Sequence, residues 1–399
     1  MKAIIVGGGI GGLTTALMLR SRGISCELYE QSETIRELGV GINTLPHAIR
    51  ELAGLGLLDR LDEVAIRTYE LFYLTRHGQQ VWHEKRGLDA GHDVPQFSIH
   101  RGRLQGVIHQ AVVERLGADA IRTGCRLGAF TQDEGGVSAH FFDRAGCHVH
   151  TARGDILIGA DGIHSRVRQL LFGIDRPHFT GCIAYRGLVP AERLAHLDLE
   201  VTSNSWWGPG GHFVHYYVAG GRLVNFVAVQ EEETWTRESW NERGEVADAL
   251  RLFEGWHPQV RTIIGAVDET FKWGLFDREP LPRWSVGRIT LLGDSCHAML
   301  PFMAQGAVQS IEDGATLTAC LVEAGGDVAG ALARYELLRK PRTTRLQEMS
   351  RHNKTRFHLP DGVDQQRRDA QTAAAGDRSI AAVGWLYAHD AGVLPDAAA

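Results

Sequence analysis

Residues 2–30, KAIIVGGGIGGLTTALMLRSRGISCELYE, read as a short apolar strand, a glycine-rich turn, an amphipathic helix and a second strand that ends in an acid. In the frame Gly7-x-Gly9-x-x-Gly12, the first glycine permits the tight turn, the second lets a pyrophosphate approach the backbone, and the third lets helix and strand pack closely. The helix that follows points its free N–H groups and the positive end of its dipole at such a phosphate. Glu30 closes the second strand where an acid can accept hydrogen bonds from a ribose. Strand, helix and acid together make this a dinucleotide site rather than a chance glycine turn.

The rest of the chain is long for one hydrophobic core. Its 399 residues, 44% of them hydrophobic, predict an α/β protein in which a second unit is inserted into the nucleotide-binding fold. Residues 1–70, 98–176 and 284–399 are assigned to a Rossmann-like domain with C-terminal helices. Residues 71–97 and 177–283 are assigned to a mostly antiparallel β-sheet that would hold a substrate. A formal net charge of −6 and the lack of a Lys/Arg block leave no basis for nucleic-acid binding. No run approaches the ~20 apolar residues of a membrane span, and residues 1–12 lack a basic n-region, so a cytoplasmic protein without a membrane partner is expected. The six cysteines are scattered without a C-x-x-C pair, which favours free thiols over disulfides or zinc.

Taken in order, residues 38–46 form a glycine-interrupted loop leading into a helix, and 69–82 alternate like paired strands around His77-Gly78. Residues 98–117 return to a helical pattern, with Arg101 sitting just before the helix. Short strands with glycine turns over 122–149 predict a small meander. Residues 155–159 are a buried strand running into ADGIHSRVRQLL. From 177 to 283 aromatic and β-branched runs alternate with turns; HFVHYYVAGGRLVNFVAV (212–229) is a hairpin, and one helix near 245–253 interrupts the strands. A last strand at 288–292 leads into a loop and then a helix near Gly306. Residues 328–354 are helical, and the alanine-rich 370s read as a loose surface stretch.

Three glycine–acid turns thus end buried strands: Gly7–Gly12, Asp161-Gly162 and Gly293-Asp294. With ADGIHSRVR in the middle and LLGDSCHAMLPFMAQGA near the end, the chain resembles the class A flavoprotein monooxygenases, which share the fold of p-hydroxybenzoate hydroxylase. AQGA, YRGLVPAE and WLYAHDA are most similar to the salicylate, meta-hydroxybenzoate and hydroxynicotinate hydroxylases, while IRELGVGINTLP also resembles phenazine-carboxylate hydroxylases. The resemblance implies FAD held by Gly7, Gly9, Gly12, Glu30 and Arg101. It further implies that Asp294 meets the ribityl chain and that the helix at Gly306 faces the flavin's pyrimidine edge. Asp161 and Arg166 would serve both FAD and the transient docking of NADH or NADPH. Many family members read G-A-N where this chain reads Gly306-Ala307-Val308; a backbone contact survives that change, a side-chain contact does not.

The implied activity is hydroxylation of a small aromatic acid or phenol by NAD(P)H and O2 through a flavin C4a-hydroperoxide, with or without loss of a carboxylate. A tailoring hydroxylase of a larger polycyclic or phenazine-like ring, and a non-oxygenating FAD-dependent reductase, are the alternatives. A phenol ionises near pH 10, so a base beside it raises the ring's nucleophilicity at neutral pH. His212 and Tyr216 are four apart on one strand and so share a face. With Gln305 of the AQG segment they match pocket residues of the resembling enzymes. His215, on the opposite face, is the reserve, and His297 is expected to be structural. The family pattern is compatible with a homodimer.

Overall fold

The apolar strand Lys2–Val6 sits in the middle of a six-stranded sheet ordered Ser285–Val286, Ile289–Leu291, Ile156–Gly159, Lys2–Val6, Ser25–Tyr29 and Ile121–Arg122. Every pairing is parallel except the outermost one, between Ser285–Val286 and Ile289–Leu291. A parallel sheet must be covered on both faces, which is why Ile4, Ile5, Ile156, Leu157 and Ile158 are all apolar and all fully buried. The computed structural model describes residues 1–35, 39–233, 243–375 and 383–395.

Helices Ile10–Ser21, Arg101–Leu116 and Gly306–Glu323 belong to the same core as this sheet. Small residues set the close approach of two of them: a Cβ on Gly314 would lie 2.6 Å from Thr15 Oγ1, and one on Gly11 would lie 2.9 Å from Ser310 Cβ. The predicted meander is present as Arg126–Asp133, Gly136–Phe142 and His148–Gly154, and it joins the core through Leu127, Val137, Ala139 and Phe141.

An eight-stranded sheet forms the second layer system. Its order is Arg243–Gly244, Thr270–Asp277, His178–Pro190, Leu223–Glu231, Gly211–Val218, Ser203–Gly208, Glu70–Thr75 and Gln80–Lys85. Period-two alternation sorts its side chains. Ile183, Tyr185, Phe213 and Phe226 pack with Phe253, Val260 and Ile263, residues at or on helices Val246–Leu252 and Pro258–Gly265. Cys182, Ala184, Trp207, Val227 and Val229 face the other way, onto Leu300, Phe302 and Phe357.

Several local readings change. Residues 97–100 are a strand paired with Gly41–Thr44, so the helical pattern begins only at Arg101, which is the first helical residue rather than the one before it. The helical spacing of 98–100 was misleading because three residues cannot separate a period of 3.6 from one of 2. Two helices, not one, cover the far face of the large sheet. Val363–Ala375 is a helix where a loose stretch was expected, since alanine is the strongest helix former. Leu38, the first residue of the glycine loop, lies outside the described residues.

Candidate active site

The glycine turn is built as its sequence demands. Gly7 has φ +114°, and a Cβ there would fall 2.2 Å from the Ala160 carbonyl oxygen; one on Gly12 would fall 2.0 Å from that of Gly7. Any side chain at either position displaces backbone. Gly9 differs: a Cβ there would meet nothing within 4 Å, so its glycine keeps free a space that the protein itself does not use. Helix Ile10–Ser21 opens on that space with no side-chain cap and no acid in its first turn. Glu30 stands beside it, accepting from Gly8 N and Ser32 N at 2.8 Å each. Its carboxylate is therefore positioned by the turn it serves.

Arg101 and Asp294 line the continuation of this cleft. Both can be reached by solvent, yet burial dominates their shifts: it pulls the Arg101 guanidinium down, opposed by Asp294, and pushes the Asp294 carboxyl up, opposed by His297 and Arg101. Side chains that are open to solvent and still walled by protein are the signature of a deep groove. Asp294 begins the short turn Asp294–His297, and its Oδ1 lies 3.8 Å from the position a Cβ would take on Gly306. Gly306 opens the helix Gly306–Glu323, which again has no side-chain cap and no acid in its first turn. Ala304, two residues earlier, is held at φ +55°, a conformation costing a non-glycine residue about 1 kcal/mol. Two uncapped helix starts, a glycine with unfilled space and an Arg/Asp pair between them fit a long dinucleotide with a phosphate-rich middle.

Asp161 and Arg166 are drawn into local structure. Asp161 accepts from Ser165 Oγ at 2.5 Å, Arg166 N at 2.7 Å and Val167 N at 3.1 Å, and so ties down the helix Arg166–Phe172. Burial raises its pKa, and these bonds oppose the rise. The Arg166 side chain is exposed and donates to the Gly128 carbonyl at 3.2 Å.

On the large sheet, His212 and Tyr216 do share a face, with Val227 and Val229 of the next strand. His212 is 3% exposed, lies edge-on to Phe302 at 4.7 Å, and has Nδ1 2.7 Å from His358 Nε2. Burial, then His358, holds its pKa well below the usual histidine range, so it is a neutral imidazole at pH 7. Burial keeps the Tyr216 phenol protonated, with Arg186 pulling weakly the other way. Tyr216 also seats the strand Gly41–Thr44: a Cβ on Gly41 would lie 2.8 Å from its Cε2, while Gly41 N donates to Asn225 Oδ1 at 2.7 Å. His215 faces the opposite core against Trp206 and Phe213, where burial alone drops its pKa to about 3.

Gln305 is fully buried. Its Oε1 accepts from Gln309 Nε2 at 2.9 Å and lies 3.2 Å from His47 Nε2, while its own Nε2 has no partner among the described residues. The oxygen belongs to the scaffold, which leaves only the amide nitrogen for a ligand. His297 is bonded to Asp313 at 2.6 Å, the structural position expected of it. Cys296, His297 and Asp313 cluster closely enough to hold a metal, but both Asp313 oxygens are engaged, by Gly293 N, His297 and Arg339.

One residue of this face was not singled out from the sequence. Arg186, in the run CIAYRGLVP, pairs in register with Val227, which pairs with Val214 between His212 and Tyr216. That places its backbone about 10 Å, two strand spacings, from the His212/Tyr216 row. Its guanidinium stacks on Trp273 at 4.7 Å, and no carboxylate lies within ion-pair distance among the described residues. Burial, aided by Arg101, lowers its pKa to about 10. An arginine does not deprotonate at working pH, so the shift marks a missing counter-charge. The detectable signal was a lone cation inside a strand otherwise apolar.

Comparison with known proteins agrees with this geometry. The FAD binding domain family matches residues 1–350. A 3-amino-4-hydroxybenzoate 2-monooxygenase of Streptomyces platensis is 37% identical over 393 residues, covering 98% of this chain and 96% of the relative. A 3-hydroxybenzoate 6-hydroxylase of Klebsiella oxytoca is 36% identical, covering 97% and 96%. A salicylate hydroxylase solved as a substrate complex superposes with a TM-score of 0.82 at 26% identity, over 100% of this chain and 99% of that one. Whole-length relatives of this kind, together with the cradle at Gly7–Gly12 and the Asp294 turn, show that the chain belongs to the FAD-binding family of class A flavin-dependent aromatic monooxygenases.

Proposed function

We propose that the protein hydroxylates a small phenolic aromatic acid, with the carboxylate on Arg186 and the hydroxyl beside His212 and Tyr216. The observation that carries this reading is Arg186, a half-buried guanidinium on the face that also bears His212 and Tyr216, with no acid partner among the described residues. A cation partly withdrawn from water without a counter-ion carries a desolvation cost, and a substrate carboxylate would offset that cost while fixing the ring's orientation. The ~10 Å between the two rows, shortened by the arginine's own length, leaves room for one aromatic ring. The relatives act on hydroxybenzoates, as their names state.

FAD, once reduced by NADH or NADPH, supplies the oxygen activation. Gly7, Gly9, Gly12 and Glu30 would hold its adenosine diphosphate half, and Arg101, Asp294 and the helix start at Gly306 the remainder. Asp161 would keep the strand-to-helix turn rigid, and Arg166, exposed beside it, would meet a transient nicotinamide nucleotide. His212, neutral with a free ring nitrogen, would take the phenolic proton; Tyr216 would donate a hydrogen bond. Leu300, Phe302 and Phe357 exclude water from that end.

The test is a panel of hydroxybenzoates scored for stimulated NAD(P)H oxidation, O2 uptake and product mass, each acid paired with its methyl ester. Acids should be hydroxylated and their esters should bind at least tenfold more weakly. Equal turnover of acid and ester would remove Arg186 from the substrate site.

A further inference from the structure

The ring nitrogen of His212 that turns away from the substrate face is not idle. His212 Nδ1 lies 2.7 Å from His358 Nε2, and His358 Nδ1 lies 2.9 Å from Glu231 Oε1. His358 caps the long helix Val328–Phe357 and is 5% exposed; Glu231 ends the strand Leu223–Glu231, and its side chain is 45% exposed. The three groups thus run from a fully enclosed imidazole to open solvent. We propose that His358 and Glu231, acting through His212, form a proton exit from the ring pocket to water; this rests on the phenolic substrate proposed above.

The hydrogen-bond directions follow from one end of the chain. Glu231 is an ionised carboxylate, held so by its bond to His358, and can only accept. His358 Nδ1 must therefore carry the hydrogen. Burial keeps His358 neutral against the pull of Glu231, so its Nε2 is bare and accepts. His212 Nδ1 then carries a hydrogen, and its Nε2 is left bare as the acceptor for a substrate proton. The other charged group acting on His358 is Lys354, whose ammonium is turned to the Thr180 carbonyl at 2.7 Å and also disfavours a charged imidazole.

In the transfer, the phenolic O–H breaks and its proton bonds to His212 Nε2. The Nδ1 proton of His212 moves to His358 Nε2, and the Nδ1 proton of His358 moves to Glu231. Phenolate and a neutral Glu231 carboxyl result, no electrons change hands, and Glu231 passes its proton to solvent. Neither histidine becomes a cation at rest, which suits a site where burial penalises charge.

His358 and Glu231 touch no substrate, so their role is tested by readouts that packing would leave unmoved. Glu231→Gln keeps an oxygen for His358 Nδ1–H but removes the proton acceptor. In the FAD-loaded enzyme, flavin content and reduction by NAD(P)H should be unchanged. The ultraviolet titration of bound 3-hydroxybenzoate to its phenolate should move up by about one pH unit, and product per NAD(P)H should fall about tenfold at pH 7. Glu231→Asp should recover part of both. Unchanged titration and coupling in Glu231→Gln would overturn the relay while leaving the hydroxylase reading standing. Nitrogen-15 histidine spectra of the substrate-free FAD enzyme decide independently of any ligand: His212 and His358 should both be neutral and protonated at Nδ1. A hydrogen on His212 Nε2 at pH 7.5 would sink the proposal even if no tested phenol were hydroxylated.

Discussion

Arg339, fully buried, and Arg186, half-buried, are arginines partnered in opposite ways. Arg339, 1% exposed on the long helix, donates from Nε to Asp313 at 2.7 Å, from one terminal nitrogen to Glu312, and from the other to Gln309 Oε1 at 2.6 Å. Every arm has an acceptor. Arg186 has an aromatic face and, among the described residues, no acid. The first is a closed network that fixes the helix Gly306–Glu323; the second is half of an interaction. A buried charge that the protein satisfies itself is scaffold, and one that it leaves unsatisfied points to a ligand. A parallel difference separates two histidines: His297 is tied to an acid, Asp313, whereas the partner of His212 is the neutral imidazole of His358.

The sharpest way to break the comparison is on the open side. His212→Ala should retain FAD and be reduced normally, while the hydroxylation step falls by roughly 10²–10⁴-fold at neutral pH. The loss should shrink toward pH 10, where solvent ionises a phenol unaided. Product per NAD(P)H consumed, followed across pH, measures it; unchanged coupling at pH 7 would return His212 to the ordinary strand histidines.

On the closed side, Arg339→Met strands Glu312 and Asp313 and should cost about 3–5 kcal/mol of stability, read as a lower urea midpoint and early flavin release. If the midpoint hardly moves, the network is not what holds the helix. Arg186→Met should behave in reverse. Stability should be equal or higher, because an unpartnered charge has been removed, whereas binding of the aromatic acid should weaken by about 1.5–3 kcal/mol, or roughly 10- to 150-fold. A fall in stability with unchanged KM would make the two arginines alike.

The smallest effect concerns His215, buried without a hydrogen bond at Nε2 in the far core. Its folded pKa of about 3 is below the unfolded ~6.5, so on acidification the unfolded chain binds the proton first. Its contribution is present above pH 6.5 and is lost as pH falls toward 3, at no more than about 1.4 kcal/mol per pH unit. His215→Phe should therefore flatten the decline of the urea midpoint between pH 6.5 and 4.5. An identical slope would assign the acid sensitivity to other buried histidines, of which His47, with a pKa near 4, is the first candidate.

The parts of this protein readable in one dimension are those built from contiguous backbone. Gly7, Gly9 and Gly12 act through φ angles and the absence of a Cβ, and such requirements leave a fixed spacing in the chain. Alternation in 212–229 placed His212 and Tyr216 on one face for the same reason: a strand's period is a local property. Where a segment was too short to show its period, as at 98–100, the reading failed.

Pairings across the fold left no such trace. Arg186 stands 26 residues before His212 in the chain and reaches its row only because the strands order themselves 178–190, 223–231, 211–218. Glu231 and His358 are separated by 127 residues, and the bond between them depends on where the long helix ends against the sheet. What the amino-acid sequence determined alone was the cradle and the family, since both rest on spacing within a few residues. Which charges are closed on themselves and which are left open to a ligand was decided only by the tertiary structure, because an ion's partner is set by distance in space.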